Sequence, residues 1–281
     1  MKLSVSSYSY GNYLADNGII RVIEKTAEMG FDGIEFVHQP WTNELDLAMA
    51  RKCRERCAEL GLEVVAFCIG ADFINKYSDE DAAFLRKAVD FAAELGAPLM
   101  RHDITSGIKG RKYSIGYDDA LEIVVPRIRE LADYAKSKGV KTMTENHGFF
   151  SQDVLRVEKL INTVAHENFG ALVDIGNFVC ADEDPNSSVA ILAPYAVHVH
   201  AKDFYIKSGN SVDPGEGWMK TRAANYIRGA IIGHGDCNVY QSVQILKKAG
   251  YDGYLSIEFE GYEDKLTGIR IGKDNLERFI G

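Results

Sequence analysis

The chain of 281 residues has no run of basic residues and no stretch of 18 apolar ones, and acidic side chains outnumber basic ones by 41 to 32, for a net charge of −9. An acidic surface repels the phosphate backbone, so nucleic acid is not an expected partner. Without a long apolar run there is no candidate membrane span. The segment MKLSVSSYSYG at the start lacks the apolar core of a secretory signal, so a cytoplasmic location is expected. The five cysteines, at 53, 57, 68, 180 and 237, show no CxxC spacing and read as ordinary reduced residues. No GxGxxG follows the first apolar run, which argues against a dinucleotide-binding sheet. No linker or low-complexity segment divides the sequence, so residues 1–281 are expected to form one domain.

What is present is alternation. Short apolar runs at 3–8, 33–37, 63–69, 99–104, 141–146, 170–175, 196–202 and 254–259 read as strands. Between them lie helical patterns at 17–29, 44–60, 79–95, 118–138, 153–166, 187–194, 239–249 and 268–280. In the third, Phe84, Ala88, Phe91, Ala92 and Leu95 recur at three and four, one packed face of a helix. Gly30, Gly61, Gly96, Gly139 and Gly250 each close a helical pattern just before a strand, where a left-handed residue is favoured. MGFDGIEF (29–36) and AGYDGYLSIEF (249–259) repeat one helix-to-strand turn. Eight strands alternating with eight helices predict an α/β protein, a single (β/α)₈ TIM barrel.

Four strand-like runs end in a metal-ligating residue: KTMTE at Glu145, GALVD at Asp174, AVHVH at His200 and YLSIE at Glu258. In a barrel these C-terminal ends face one shared mouth, on four consecutive strands. Three carboxylates and one imidazole suit a hard or borderline divalent ion, Mn²⁺ best, with Mg²⁺, Co²⁺ or Zn²⁺ as alternatives. Any one of them alone would be an ordinary polar strand end; all four together point to a metal site.

The segments TENHG (144–148), LVDIGN (172–177), HVHAKD (198–203), GHGD (233–236) and GYDGYLSIEFEG (250–261) resemble the sugar-phosphate isomerase/epimerase superfamily with a xylose-isomerase-like barrel. The likeness runs the whole length of the chain. It implies that Glu145, Asp174, His200 and Glu258 hold one divalent metal, and that Glu145 and Glu258 also move protons. A metal bound to a carbonyl and its neighbouring hydroxyl acidifies the C–H between them. A carboxylate on each face of the resulting enediolate would allow removal on one side and return on the other. The resemblance thus implies a metal-dependent isomerase or epimerase of a small sugar or polyol, and a homo-oligomer is compatible with it. The lyase alternative dehydrates a keto-polyol from the same site. An apurinic-site endonuclease needs further histidines, and Asn177 stands where that pattern has one. A non-catalytic sugar-binding or assembly subunit is the remaining reading.

Further candidates surround the quartet. His147 shares the face of Glu145 along an extended strand end, and His198 lies two residues before His200, deeper in the barrel. Glu35, His102 with Asp103, Lys202 and Asp203 are candidates for substrate hydroxyl contacts or local ion pairs. His234 departs from the Glu that many relatives carry there. Tyr8, Tyr10 and Phe67 offer an apolar wall or core packing. The glycine-rich segment 203–238 is expected to be a long irregular loop over the mouth, a lid with Trp218, Arg222 and Arg228 as substrate contacts.

Overall fold

Strand and helix alternate along the chain in the computed structural model, which describes residues 1–42, 44–75, 77–105, 107 and 116–281. The strands are β1 (Lys2–Ser6), β2 (Gly33–Val37), β3 (Glu63–Ile69), β4 (Leu99–His102), β5 (Lys141–Glu145), β6 (Phe169–Asp174), β7 (Ala196–Ala201), β8 (Asp203–Lys207), β9 (Met219–Lys220), β10 (Tyr226–Ala230) and β11 (Tyr254–Ile257). The helices are α1 (Asn12–Glu28), α2 (Leu47–Glu59), α3 (Asp79–Leu95), α4 (Tyr117–Ser137), α5 (Val154–Val164), α6 (Pro185–Leu192), α7 (Val239–Lys248) and α8 (Lys265–Ile280). Strands β1 to β7 and β11 pair in parallel and close into a barrel in the order β1–β11–β7–β6–β5–β4–β3–β2. This is the (β/α)₈ barrel that the alternation predicts. Among the described residues no helix is long and apolar enough to cross a membrane.

Local chemistry sets the helix ends. Ser78 accepts from the Asp81 backbone N–H at 3.2 Å while Asp81 accepts from the Ser78 N–H at 2.9 Å, a reciprocal cap on α3. Asp46, Asp153, Asp184 and Asp264 cap α2, α5, α6 and α8, each worth about 1 kcal/mol. Gly30, Gly61, Gly96, Gly139 and Gly250 all take positive φ, as the stop pattern requires. Three starts differ from the sequence reading by three residues or more, that of α2 falling at Leu47 behind its Asp46 cap. Helix α1 begins at Asn12 and is interrupted at Gly18, whose φ of 79° and ψ of 167° break the helical path. Helix α8 begins at Lys265 behind its Asp264 cap.

The main core lies between the strands and the helices. Leu3 and Val5 of β1 and Leu255 and Ile257 of β11 belong to it, so Ser4, Ser6 and Ser256 on the alternate face line the barrel interior. A separate small cluster of Val65, Ala66, Cys68, Met143 and Leu172 packs there. Met143 and Leu172 precede Glu145 and Asp174 by two residues, which aims those carboxylates inward as well.

The segment 203–238 is not an irregular loop. It holds a three-stranded antiparallel sheet ordered β8–β10–β9, with Phe204 opposite Gly229 and Ile227 opposite both Ile206 and Met219. Its base is pinned by Asp203, whose carboxylate accepts from the backbone N–H groups of Phe204, Gly233, Gly235 and Cys237 at 2.9 to 3.1 Å. Gly235 is needed here, because a Cβ at that position would fall 2.3 Å from Asp203 Oδ1.

Candidate metal centre

Glu145 ends β5, Asp174 ends β6, His200 lies one residue from the end of β7, and Glu258 directly follows β11. Each follows a buried run, so the four side chains are driven to one point inside the mouth, and all four are buried. His200 Nδ1 lies 3.6 Å from Glu145 Oε1, 3.7 Å from Asp174 Oδ2 and 3.6 Å from Glu258 Oε2. The ligand atoms of the quartet lie within 4.8 Å of one another. His200 Nδ1 and Asp174 Oδ2 are buried without a hydrogen bond. Buried polar atoms are normally paired; His200 Nδ1, which is not, and Asp174 Oδ2, met by the Lys202 ammonium at 3.1 Å, face the same space in a carboxylate–imidazole set, which fits a divalent cation.

The other face of the His200 ring is fixed. Glu35, fully buried on β2, lies within 2.8 Å of both His200 Nε2 and His198 Nε2 through its Oε2. A carboxylate there favours the proton on Nε2 and leaves the Nδ1 lone pair toward the quartet, the usual outer support of a metal histidine. Asn177 holds the adjacent wall. Its side-chain amide donates to Glu145 Oε1 at 2.9 Å, and its backbone N–H donates to Asp174 Oδ1 at 2.9 Å. Asn146 and Asp174 exchange a pair of bonds, at 2.8 and 2.9 Å, that locks β5 to β6 at the mouth.

Two cations, the buried Lys202 and the mostly buried Arg101, balance the carboxylates. Arg101 of β4 donates to Glu145 Oε2 from Nε at 2.7 Å, with Nη2 at 2.5 Å, and its Nη1 is 3.3 Å from Asp103 Oδ1. Lys202 Nζ lies 3.1 Å from Asp174 Oδ2, is paired with Glu258 Oε2, and donates to Asn177 Oδ1 at 3.2 Å. Burial pushes the Glu145 carboxyl up, but Arg101 and His200 outweigh it and hold it well below the usual range. Burial is likewise overcome at Glu258, which Lys202 and His200 hold at about 2. Asp174 moves the other way, raised by burial and by Glu145 and Glu258 against the pull of Lys202. Burial would lower His200, yet Glu35 and Glu258 carry it well above the ordinary imidazole value.

The remaining sequence candidates fall in distinct places. His147 is half exposed, 3.1 Å from Asp103 Oδ1, and lines a cavity of about 200 Å³. Lys202, Asn177, Phe204, Met219, Ile227 and Glu260 line the same cavity. Glu35 is not at the mouth: its register opposite Ser6 and Ala66 sets it inside the barrel beneath His200. His102 is also away from the cavity, buried between Phe73 and Phe169, because Arg101 takes the inward face of β4. Trp218 and Arg228 lie across the lid sheet, where Arg228 stacks on Tyr205 and Trp218, since Ile227 takes the cavity side of β10. Arg222 is exposed and ties the lid to Phe149 O at 2.5 Å and Asp153 Oδ2 at 3.3 Å. His234 is exposed, Tyr10 is buried with its hydroxyl 2.7 Å from Thr26 Oγ1, and Phe67 packs on Phe91. Tyr8 stands at the mouth, its hydroxyl pushed up to about 12 by Glu260, burial and Glu258. Arg101 and Asn177 were not among the expected contacts. An arginine inside the short strand PLMRHDI was the available sign for the first.

The molecule is an eight-stranded barrel with a candidate metal site at the C-terminal ends of its strands. The family model of xylose isomerase-like TIM barrels matches residues 23–279, and the chain belongs to that family. It is 25% identical to the uncharacterized protein MJ1311 of Methanocaldococcus jannaschii over 99% of this chain and 90% of that protein. It is 26% identical to 3-oxo-isoapionate decarboxylase of Pectobacterium atrosepticum over 66% of this chain, spanning 61% of that enzyme. Among solved structures, the IOLI protein with a bound zinc atom superposes with a TM-score of 0.77 at 17% identity, covering 100% of this chain and 98% of that one. D-psicose 3-epimerase with D-tagatose, from Clostridium cellulolyticum H10, superposes with a TM-score of 0.74 at 16% identity, covering 100% and 99%. At such identities the structural likeness shows the shared fold.

Proposed function

We propose that the protein is a divalent-metal-dependent isomerase or epimerase of a small sugar or polyol, removing a proton beside a carbonyl to give an enediolate. The observation that carries this reading is the convergence of Glu145, Asp174, His200 and Glu258, with His200 Nδ1 left without a hydrogen bond, beside a cavity that shares Lys202 and Asn177 with the quartet's surroundings. These four residues would hold the ion, Mn²⁺ by preference for a set of three carboxylates and one imidazole. When bound, it would supply stabilisation of the negative charge that develops on the carbonyl and hydroxyl oxygens.

The chain's own groups do the rest. Glu258, whose side chain is 10% exposed against 1% for Glu145, would be the glutamate that takes a proton from substrate, and its greater exposure supports that choice. Lys202 and Asn177 lie on the cavity wall, in reach of substrate oxygens, and His147 with Asp103 stands opposite as a hydroxyl contact. The apolar side chains of Phe204, Met219 and Ile227 limit water above the reacting carbon. The five free cysteines suit a reducing, cytoplasmic setting.

A lyase using the same site to stabilise an enolate, formed by proton abstraction before loss of water or directly by loss of carbon dioxide, is the second reading, and the likeness to a decarboxylase favours it. The test is incubation of Mn²⁺-loaded protein with a panel of ketoses, aldoses and keto-polyols in deuterated water, followed by NMR. Solvent deuterium at the carbon beside the carbonyl supports the proposal. Its absence across the panel would count against it, and loss of water or carbon dioxide without isomerisation would favour the lyase.

A further inference from the structure

The two glutamates of the quartet are built for different work. Glu145 has no oxygen to spare. Its Oε2 is gripped by the Arg101 fork, with Nε at 2.7 Å and Nη2 at 2.5 Å. Its Oε1 accepts from Asn177 at 2.9 Å and faces His200 Nδ1, hence the ion, at 3.6 Å. The two donors are themselves held. Arg101 Nη1 donates to Ile69 O at 3.2 Å, and the Asn177 carbonyl accepts from Gln152 at 2.8 Å. Glu258 is open by contrast. Its Oε2 meets Lys202 and faces His200, while among the described residues no hydrogen bond reaches Oε1.

We propose that Arg101 is a positioning residue that fixes Glu145 as a ligand, leaving Glu258 as the only carboxylate of the quartet that moves a proton. This rests on the isomerase/epimerase reading and narrows it. With one mobile carboxylate, and with His147 tied to Asp103 Oδ1 at 3.1 Å as a hydroxyl contact, proton transfer is confined to one face of the substrate. Glu258 takes the proton from the carbon beside the carbonyl, and the C–H electron pair becomes the C=C bond of the enediolate. The hydroxyl proton passes to the former carbonyl oxygen, and Glu258 returns its proton to the former carbonyl carbon. The formula is unchanged and no oxidant is needed. The outcome is movement of the carbonyl along the chain, an aldose–ketose type of isomerisation, and not inversion of a stereocentre. Inversion needs a second group on the opposite face, and the Arg101 fork removes Glu145 from that role.

The experiment follows products and isotope together in deuterated water with saturating Mn²⁺. The wild-type protein should give the positional isomer carrying deuterium, with no epimer. Glu258→Gln should lower exchange by about a hundredfold or more, and Glu145→Gln by no more than about tenfold. Arg101→Met and Arg101→Lys should release Glu145 and let epimer appear, a change in product that a merely structural loss would not produce. A crystal structure of the Mn²⁺-loaded wild type gives a readout free of turnover and of variant folding: Arg101 should remain bonded to Glu145 Oε2. Epimer from the wild type, equal losses in the two Gln variants, or a Glu145 that leaves Arg101 to chelate with both oxygens overturns the inference while the broader reading stands. No exchange on any panel member removes that reading, and this inference with it.

Discussion

The two walls of the mouth carry the same kinds of side chain and are held differently. On the β4–β6 wall, Arg101, Glu145, Asn146, Asp174 and Asn177 form a network in which nearly every oxygen meets a donor of fixed position. On the wall from β7 to β11, Glu258 and Glu260 share one flexible ammonium, that of Lys202, and no amide or guanidinium fork holds either of them among the described residues. Donors such as amides and a guanidinium fork are rigid and fix a ligand. A lysine on a four-carbon stem neutralises without fixing, and it can yield to a cation or a substrate. On the proposed reading, one wall would orient the ion and the other would be left free to take part in proton transfer.

The contrast is open to attack at several points. Removing the shared imidazole by His200→Ala should weaken Mn²⁺ binding most, on the order of a thousandfold, as read by calorimetry on dialysed protein. Lys202→Met leaves Asp174 and Glu258 facing each other without their cation. It should cost the metal-free protein about 3 kcal/mol in urea unfolding, with Mn²⁺ restoring most of the loss. If the metal-free protein is unaffected, Lys202 is not what balances the open wall.

Metal uptake should also expel a proton. Glu35 and Glu258 hold His200 well above its ordinary value, so near neutral pH it is charged in the metal-free protein. The ion binds the neutral ring only, so apparent affinity should rise with pH, about tenfold per unit while one proton is displaced. Calorimetry in two buffers of different ionisation enthalpy counts that proton. Glu35→Gln should weaken Mn²⁺ binding by about tenfold through loss of the support at Nε2. Arg222→Ala, at the exposed edge of the lid, should cost less than about 1 kcal/mol in stability.

Much of this was legible in the sequence because the barrel repeats one rule. An apolar run that stops at an acid or a histidine marks a strand end, and four such stops in adjacent units gave the quartet. What was not legible depends on facing and register. Arg101 and His102 are consecutive polar residues in a four-residue strand, so alternation alone cannot say which one points inward. The run that ends near Glu35 suggests a mouth residue, yet its pairing opposite Ser6 and Ala66 seats it inside the barrel. Trp218 and Arg228 were read from composition as cavity contacts. The lid folds as a paired sheet, and alternation there sends Arg228 to the side opposite Ile227.

The central claim is that one divalent ion sits among Glu145, Asp174, His200 and Glu258. Anomalous diffraction at the manganese edge, from crystals grown with Mn²⁺, tests it most directly. One strong peak is expected within coordination distance of His200 Nδ1 and an oxygen of each of the three carboxylates. No peak there, or one lodged between Glu35 and His198 on the far side of the His200 ring, would contradict it.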